Sequence, residues 1–218
     1  MNDFGGREVF PADTRFGTNY DNLFAPGQLF VNKRGVRKSG WEAGTSGKAA
    51  SWVSRYGSVT ISCAGYQLAW GGMNEAGLVF STFSRLADGM AKFPGGSAAA
   101  AVDHAFGLLA GVSASITRWS FVCDAGSRVF YLKSYKNPKV RFVDLKQIDF
   151  SFARPTAMLD AHSEHEGDMT GAFREYSHDI AAAHMIEAMK YFRPGTSPAL
   201  VRRVLALFES FSCKPERK

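Results

Sequence analysis

Residues 56–83 read YGSVTISCAGYQLAWGGMNEAGLVFSTF, and they carry the clearest structural signal in the chain. Val59 and Ile61 alternate with Ser58, Thr60 and Ser62, the period of a half-buried strand. Ala64-Gly65 then turns the chain into a second apolar segment at 66–70, and residues 77–83 leave as a third. The corner between the last two is Gly71-Gly72-Met73-Asn74-Glu75-Ala76-Gly77. Glycine reaches positive backbone angles without steric cost, and asparagine tolerates them better than most residues. The string therefore predicts antiparallel strands with a tight corner at the double glycine.

Working outward, residues 7–20 and 28–34 read as short strands separated by DNLFAPG, where Asp, Pro and Gly favour a turn. A loop rich in Gly, Ser and Thr, SGWEAGTSGKAA, leads into the opening stretch, and RLADGMAKFPGGS leaves it as a flexible segment. Residues 98–111 form an Ala-rich helical segment. TRWSFVCD, SRVFYLKSY and KVRFVDL then give three more strands, joined by an Ala-Gly-Ser turn and by Asn137-Pro138. The period changes in the last part: 175–192 is helical, and the segment from 197 opens with a Ser197 cap and Pro198 at the first helical position. Val201, Val204, Leu205, Phe208 and Phe211 fall on one stripe of that last helix, opposite Arg202, Arg203, Glu209 and Ser210. Two groups of strands with helices between and after them predict an α+β sandwich in which helices cover antiparallel sheets.

With 218 residues, 45% of them hydrophobic, the chain is long enough for one substantial core, and no linker divides it, so residues 1–218 read as a single domain. The net charge of +6 comes from 26 basic and 20 acidic side chains spread along the length. That is a solvated surface without a basic stripe, so no nucleic-acid partner is expected. No apolar run reaches the length of a membrane span, so no membrane association is expected either. The sequence as written begins without a basic patch and apolar stretch, which predicts a cytoplasmic protein; a lost presequence would make it periplasmic or secreted. Cys63, Cys123 and Cys213 are odd in number and lack metal-site spacing, so neither a disulfide framework nor a zinc site is expected. Cys63 and Cys123 lie in strand-like surroundings and read as small buried hydrophobes.

The chain has no Ser-centred nucleophile elbow, phosphate-binding Gly loop or zinc-protease helix motif. The segment His162-Ser163-Glu164-His165-Glu166-Gly167-Asp168 has metal-capable side chains, but its Gly and polar flanks read as a solvated turn. His104, His178 and His184 fall on helices, where a structural role is expected. FGTNYDN is more suggestive: Asn19 and Asp21 are two residues apart at a strand end, and so on one side if the strand persists. An amide and a carboxylate so placed can hold an amine or amide, although both residue types also make turns.

Taken together, FGTNYDN, FVNKRGVRKSGW, the block from Ala50 to Phe80 and TRWSFVCDAGSRVFYLKSYKNPKVRFVDLKQIDFS resemble the choloylglycine hydrolase family. That family includes bile salt hydrolases, penicillin V acylases and related linear-amide carbon–nitrogen hydrolases. The resemblance spans about residues 14–170, including AMLDAHSEHEGDMT, with helices over about 175–212 beyond it. It implies an incomplete αββα sandwich of the N-terminal-nucleophile hydrolases. It also implies hydrolysis of N-acyl compounds by a leading cysteine whose own α-amine is the base, without a cofactor. An Asp orients that amine, and Asn with backbone donors stabilises the oxyanion. The family's Gly-Arg-Asn-x-Asp string stands here as Gly17-Thr18-Asn19-Tyr20-Asp21. This matches Asp21 to the catalytic aspartate, puts Asn19 beside it for substrate, and leaves Thr18 where arginine is expected. Ser84 falls near the oxyanion position. Counting back from Asp21 puts the nucleophile at Asn2, and the segment before Val102 is far shorter than the family's central block. The implied partner is a small-molecule acyl amide, and the expected outcome is a chain that lacks its nucleophile. The alternatives are a silent acyl- or amide-binding or interaction protein, or a truncated product without function. Strand edges exposed by the short central block predict a homo-oligomer or a sticky monomer.

Overall fold

The computed structural model describes residues 15–24, 26–39, 51–81 and 97–210. Strand β5, Ser58–Ser62, forms where the alternation predicts it, with Val59 and Ile61 fully buried. It pairs antiparallel with β2, Gln28–Asn32, on one side and with β6, Gly71–Asn74, on the other. β7, Val79–Ser81, follows β6 as a hairpin partner. On the far side of β2 lie β11, Ala157–Asp160, and β13, Arg174–Glu175, giving a six-stranded sheet in the order β13-β11-β2-β5-β6-β7.

The corner lies one step further along than the double glycine predicts. Residues 66–70 are turn and irregular chain, whereas Gly71 and Gly72 belong to β6. Gly72 is needed for close approach: a Cβ there would stand 2.4 Å from the Val59 carbonyl oxygen of the neighbouring strand. The positive angle falls at Gly77, φ +87°, where the Asn74 side chain accepts from the backbone N–H groups of Ala76 and Leu78 at 3.0 and 2.8 Å. The earlier turn is held by Ser62, whose hydroxyl donates to the Leu68 carbonyl at 2.6 Å and accepts from the N–H groups of Ala64 and Gly65.

A second sheet consists of β1, Arg15–Asp21, β8, Thr117–Asp124, β9, Val129–Ser134, β10, Arg141–Asp144, and β12, Gly167–Asp168, in the order β1-β8-β9-β10-β12. Its pairings are antiparallel apart from the short parallel contact of β10 with β12. A two-stranded ribbon of β3, Arg37–Ser39, and β4, Ser51–Val53, lies apart from both sheets.

Alternation along the strands sets the layers. Leu29, Val31, Val59 and Ile61 of one sheet meet Trp119, Phe121, Phe130 and Leu132 of the other in a fully buried interior. At about 1.5–3 kcal/mol for each such side chain, this interface is the main source of stability. On the outer face of the second sheet, helix α1, Ala98–Gly111, sets Val102, Ala105, Phe106 and Leu109 against Val122 and Tyr131. On the outer face of the first, helices α2, His178–Phe192, and α3, Pro198–Glu209, cover Phe30, Tyr66 and Met158. Each helix starts at a serine whose hydroxyl accepts from a first-turn N–H: Ser97, Ser177 and Ser197. Of the stripe on α3, Val201, Leu205 and Phe208 are buried and Val204 packs beside them, while Phe211 lies outside the described residues. The molecule is thus a helix, sheet, sheet, helix sandwich. Among the described residues no helix is long and apolar enough to cross a membrane.

Candidate functional site

Strand β1 carries the two polar residues singled out from the sequence, and the fold uses each locally. Asn19 faces α1: its side-chain amide donates to the Leu109 carbonyl at 2.9 Å, and its oxygen accepts from the Ser120 hydroxyl at 2.6 Å. The pairing of β1 with β8 shifts register between Tyr20 and Asp21, so the strict alternation that would keep Asp21 beside Asn19 is broken there. Asp21 is exposed and its carboxylate accepts from the Thr117 hydroxyl. Asn19 and Asp21 therefore sit at one strand end with separate partners. Ser84 lies outside the described residues. Strand β7 leads towards the same end, because its last residue, Ser81, pairs with Gly71, which pairs with Ile61.

Inside this end of the sandwich is an aromatic cluster. Tyr20 stacks on Trp119 with centroids 3.9 Å apart and planes within 8°, and Trp70 meets Tyr20 edge-on at 5.4 Å. A Cβ on Gly27 would stand 2.9 Å from the Trp119 ring, so glycine lets the chain pass over that indole. Burial raises the Tyr20 phenol well above its usual range, and the neighbouring Cys63 thiol adds to this. Cys63 is itself buried at the end of β5, and burial pushes its thiol up. From α2, His184 reaches the Cys63 carbonyl at 2.9 Å. Burial holds its imidazole below the usual histidine range, partly offset by that carbonyl, so the neutral ring donates its Nε2 proton.

This arrangement is a packed aromatic wall rather than a nucleophile with its base. A cysteine attacks as thiolate, and a buried thiol with a raised pKa is inert at neutral pH. Cys123, fully enclosed between the sheets, is raised further by burial, with Asp124 adding to the effect. The segment from His162 to Asp168 comprises the connection after β11 and the short strand β12 itself. His162 packs its ring on Tyr135 at 5.2 Å and on Trp119 at 6.2 Å, while residues 164–166 are exposed. Among the described residues no three His, Cys, Asp or Glu side chains are grouped to hold a metal ion. His178, with Tyr176, binds Glu209 and so ties the start of α2 to the end of α3. Sequence reasoning missed the stacking of Tyr20 on Trp119, which joins strands distant in the chain, while His184 takes the structural role expected of it, on the Cys63 carbonyl. The one local signal was the position of Tyr20 between two polar residues on an alternating strand.

The αββα sandwich, with β1 at the edge of its sheet, is consistent with the fold of the N-terminal-nucleophile hydrolases. Among solved structures, the chain is similar to penicillin V acylase from Agrobacterium tumefaciens, with a TM-score of 0.58 and 14% sequence identity. The similarity covers 76% of this chain and 95% of that one. No family profile matches the chain, and no curated protein matches it by sequence. The relationship is one of fold.

Proposed function

We propose that this chain is a choloylglycine hydrolase-like protein that binds a small acyl amide at the Asp21 end of the sandwich without cleaving it. The observation carrying the reading is the state of its described thiols. Cys63 and Cys123 are both buried, both raised by burial, and both have their amines in peptide bonds within the fold. Neither supplies the thiolate and free amine on one residue that acyl transfer of this type uses. The fold shared with penicillin V acylase supports an acyl amide as the ligand class. In this reading the exposed Asp21 carboxylate receives the amide N–H, and Asn19 fixes the strand end through the Leu109 carbonyl.

The test is incubation with penicillin V, glycine- and taurine-conjugated bile acids and N-acyl homoserine lactones, with and without a thiol alkylator, followed by thermal unfolding with each compound. The expected result is no alkylator-sensitive turnover and a rise in melting temperature with at least one acyl amide, reduced in Asp21→Ala, because a ligand that prefers the folded state stabilises it. Turnover abolished by the alkylator overturns the silent assignment, and absence of any stabilisation overturns the binding assignment.

A further inference from the structure

At the end of the sandwich opposite Asp21 lies an open cleft of about 410 Å³. The strand register fixes this placement: Gln28 pairs with Ser62 and Asp160 at the Asp21 end, whereas Val31 and Asn32 pair with Ala157 and Ser58 at the other, and Lys33 follows directly. The floor is apolar, formed by Val31, Ile148 and Phe173, and three cations, Lys33, Arg154 and Arg174, line the cleft with two acids, Asp149 and Glu175.

Lys33 is the unusual member. The residue is only 5% exposed, yet among the described residues its ammonium makes a single hydrogen bond, to the Asp149 backbone carbonyl at 2.7 Å. An ammonium has three donors, so two are left for the cleft. Among the described residues no carboxylate comes within ion-pair distance of its Nζ. The Asp149 carboxylate is engaged instead by Ser151, which donates its backbone N–H at 2.8 Å and a hydroxyl bond. The Asp149 carboxylate acts on this ammonium only from beyond ion-pair distance, and a buried charge so weakly compensated is costly, so an anion in the cleft would add a direct partner.

We propose that this cleft binds a small monocarboxylate with an apolar body, its carboxylate on Lys33 and Arg154 and its body over Val31, Ile148 and Phe173. Three cations against two acids leave one net positive charge, which one monoanion neutralises, whereas a dianion would leave the cleft with an excess negative charge. Depression of the Lys33 ammonium by burial, with the Asp149 carboxylate opposing and Arg154 reinforcing it, agrees with an ammonium awaiting a counter-charge.

The experiment is titration of the full chain with sodium hexanoate, hexanol and inorganic phosphate at matched ionic strength, followed by amide-resolved NMR. Hexanoate is expected to saturate one site, shifting amides around residues 31–33, 148–155 and 171–175, with phosphate and hexanol binding at least about tenfold more weakly. Lys33→Met should weaken hexanoate by about tenfold or more. The exposed pair Arg154→Ala and Arg174→Ala, which leaves the buried lysine in place, should weaken it several-fold and serves if Lys33→Met fails to fold. Equal binding of hexanol, tighter binding of phosphate, or shifts confined to the Asp21 end would each overturn the proposal. Acyl-amide stabilisation unchanged in the Lys33 and arginine variants separates this site from the one at Asp21.

Discussion

A methyl group added at Gly72 would stand 2.4 Å from the Val59 carbonyl oxygen and 2.9 Å from the Thr60 Cα, both backbone atoms in the centre of a sheet. Neither can give way without breaking the β5–β6 pairing, so Gly72→Ala should lose about 1–3 kcal/mol in urea unfolding. Gly107 is the opposite case. It lies exposed within α1 with nothing near its missing Cβ, so Gly107→Ala should gain about 0.5–1 kcal/mol from backbone entropy. His184 carries a pH dependence. Burial holds its folded-state pKa below the ordinary value of about 6.5, so the unfolded chain binds the proton more readily. Stability on its account is complete above about pH 6.5 and is lost as pH falls through the folded-state value. Replacement by glutamine, which keeps a donor for the Cys63 carbonyl, should flatten the fall in urea midpoint between about pH 7 and 5.

At the scale of elements, local chemistry was readable where an element ends by its own devices. The helix over 98–111 forms with those bounds because Ser97 caps an apolar stripe, and α3 begins at Pro198 because Ser197 accepts the Leu200 N–H at 3.2 Å. Ser197→Ala should therefore cost about 1 kcal/mol, seen as a lower melting temperature with the far-ultraviolet spectrum of the folded state unchanged. The double glycine was misread for a physical reason. Glycine marks both positive angles and close backbone approach, and only the sheet register, with Val59 opposite Met73 and Thr60 opposite Gly72, tells which applies. The same limit hid the site. Asn19 and Asp21 were visible as residues, but the register shift after Tyr20 and the Leu109 carbonyl that binds Asn19 belong to β8 and α1, about a hundred residues away in sequence. The cleft at Lys33 was likewise beyond a linear reading, since its walls come from β2, the stretch after β10, and β13.

For the whole molecule, the path of the chain predicts how it unfolds. β1 lies in one sheet, β2 and β5 to β7 in the other; β8 to β10 return to the first, and β11, β12 and β13 alternate between the two. Neither sheet is a contiguous segment, and the shared interior of Leu29, Ile61, Phe121 and Leu132 requires both. The described sandwich should therefore open as one cooperative unit. Leu132→Ala in one sheet and Leu159→Ala in the other each remove a buried side chain from that interior and should cost about 2–5 kcal/mol. Both should lower the same single transition, with coincident curves from tryptophan fluorescence and far-ultraviolet dichroism. Two separated transitions, each sensitive to only one substitution, would show that the layers fold apart. Ligand-induced stabilisation follows the same logic: an acyl amide at the Asp21 end and a carboxylate at the Lys33 end touch opposite ends of one cooperative unit. Each should raise the same transition, and because the ligands bind without contact between them, their effects should add.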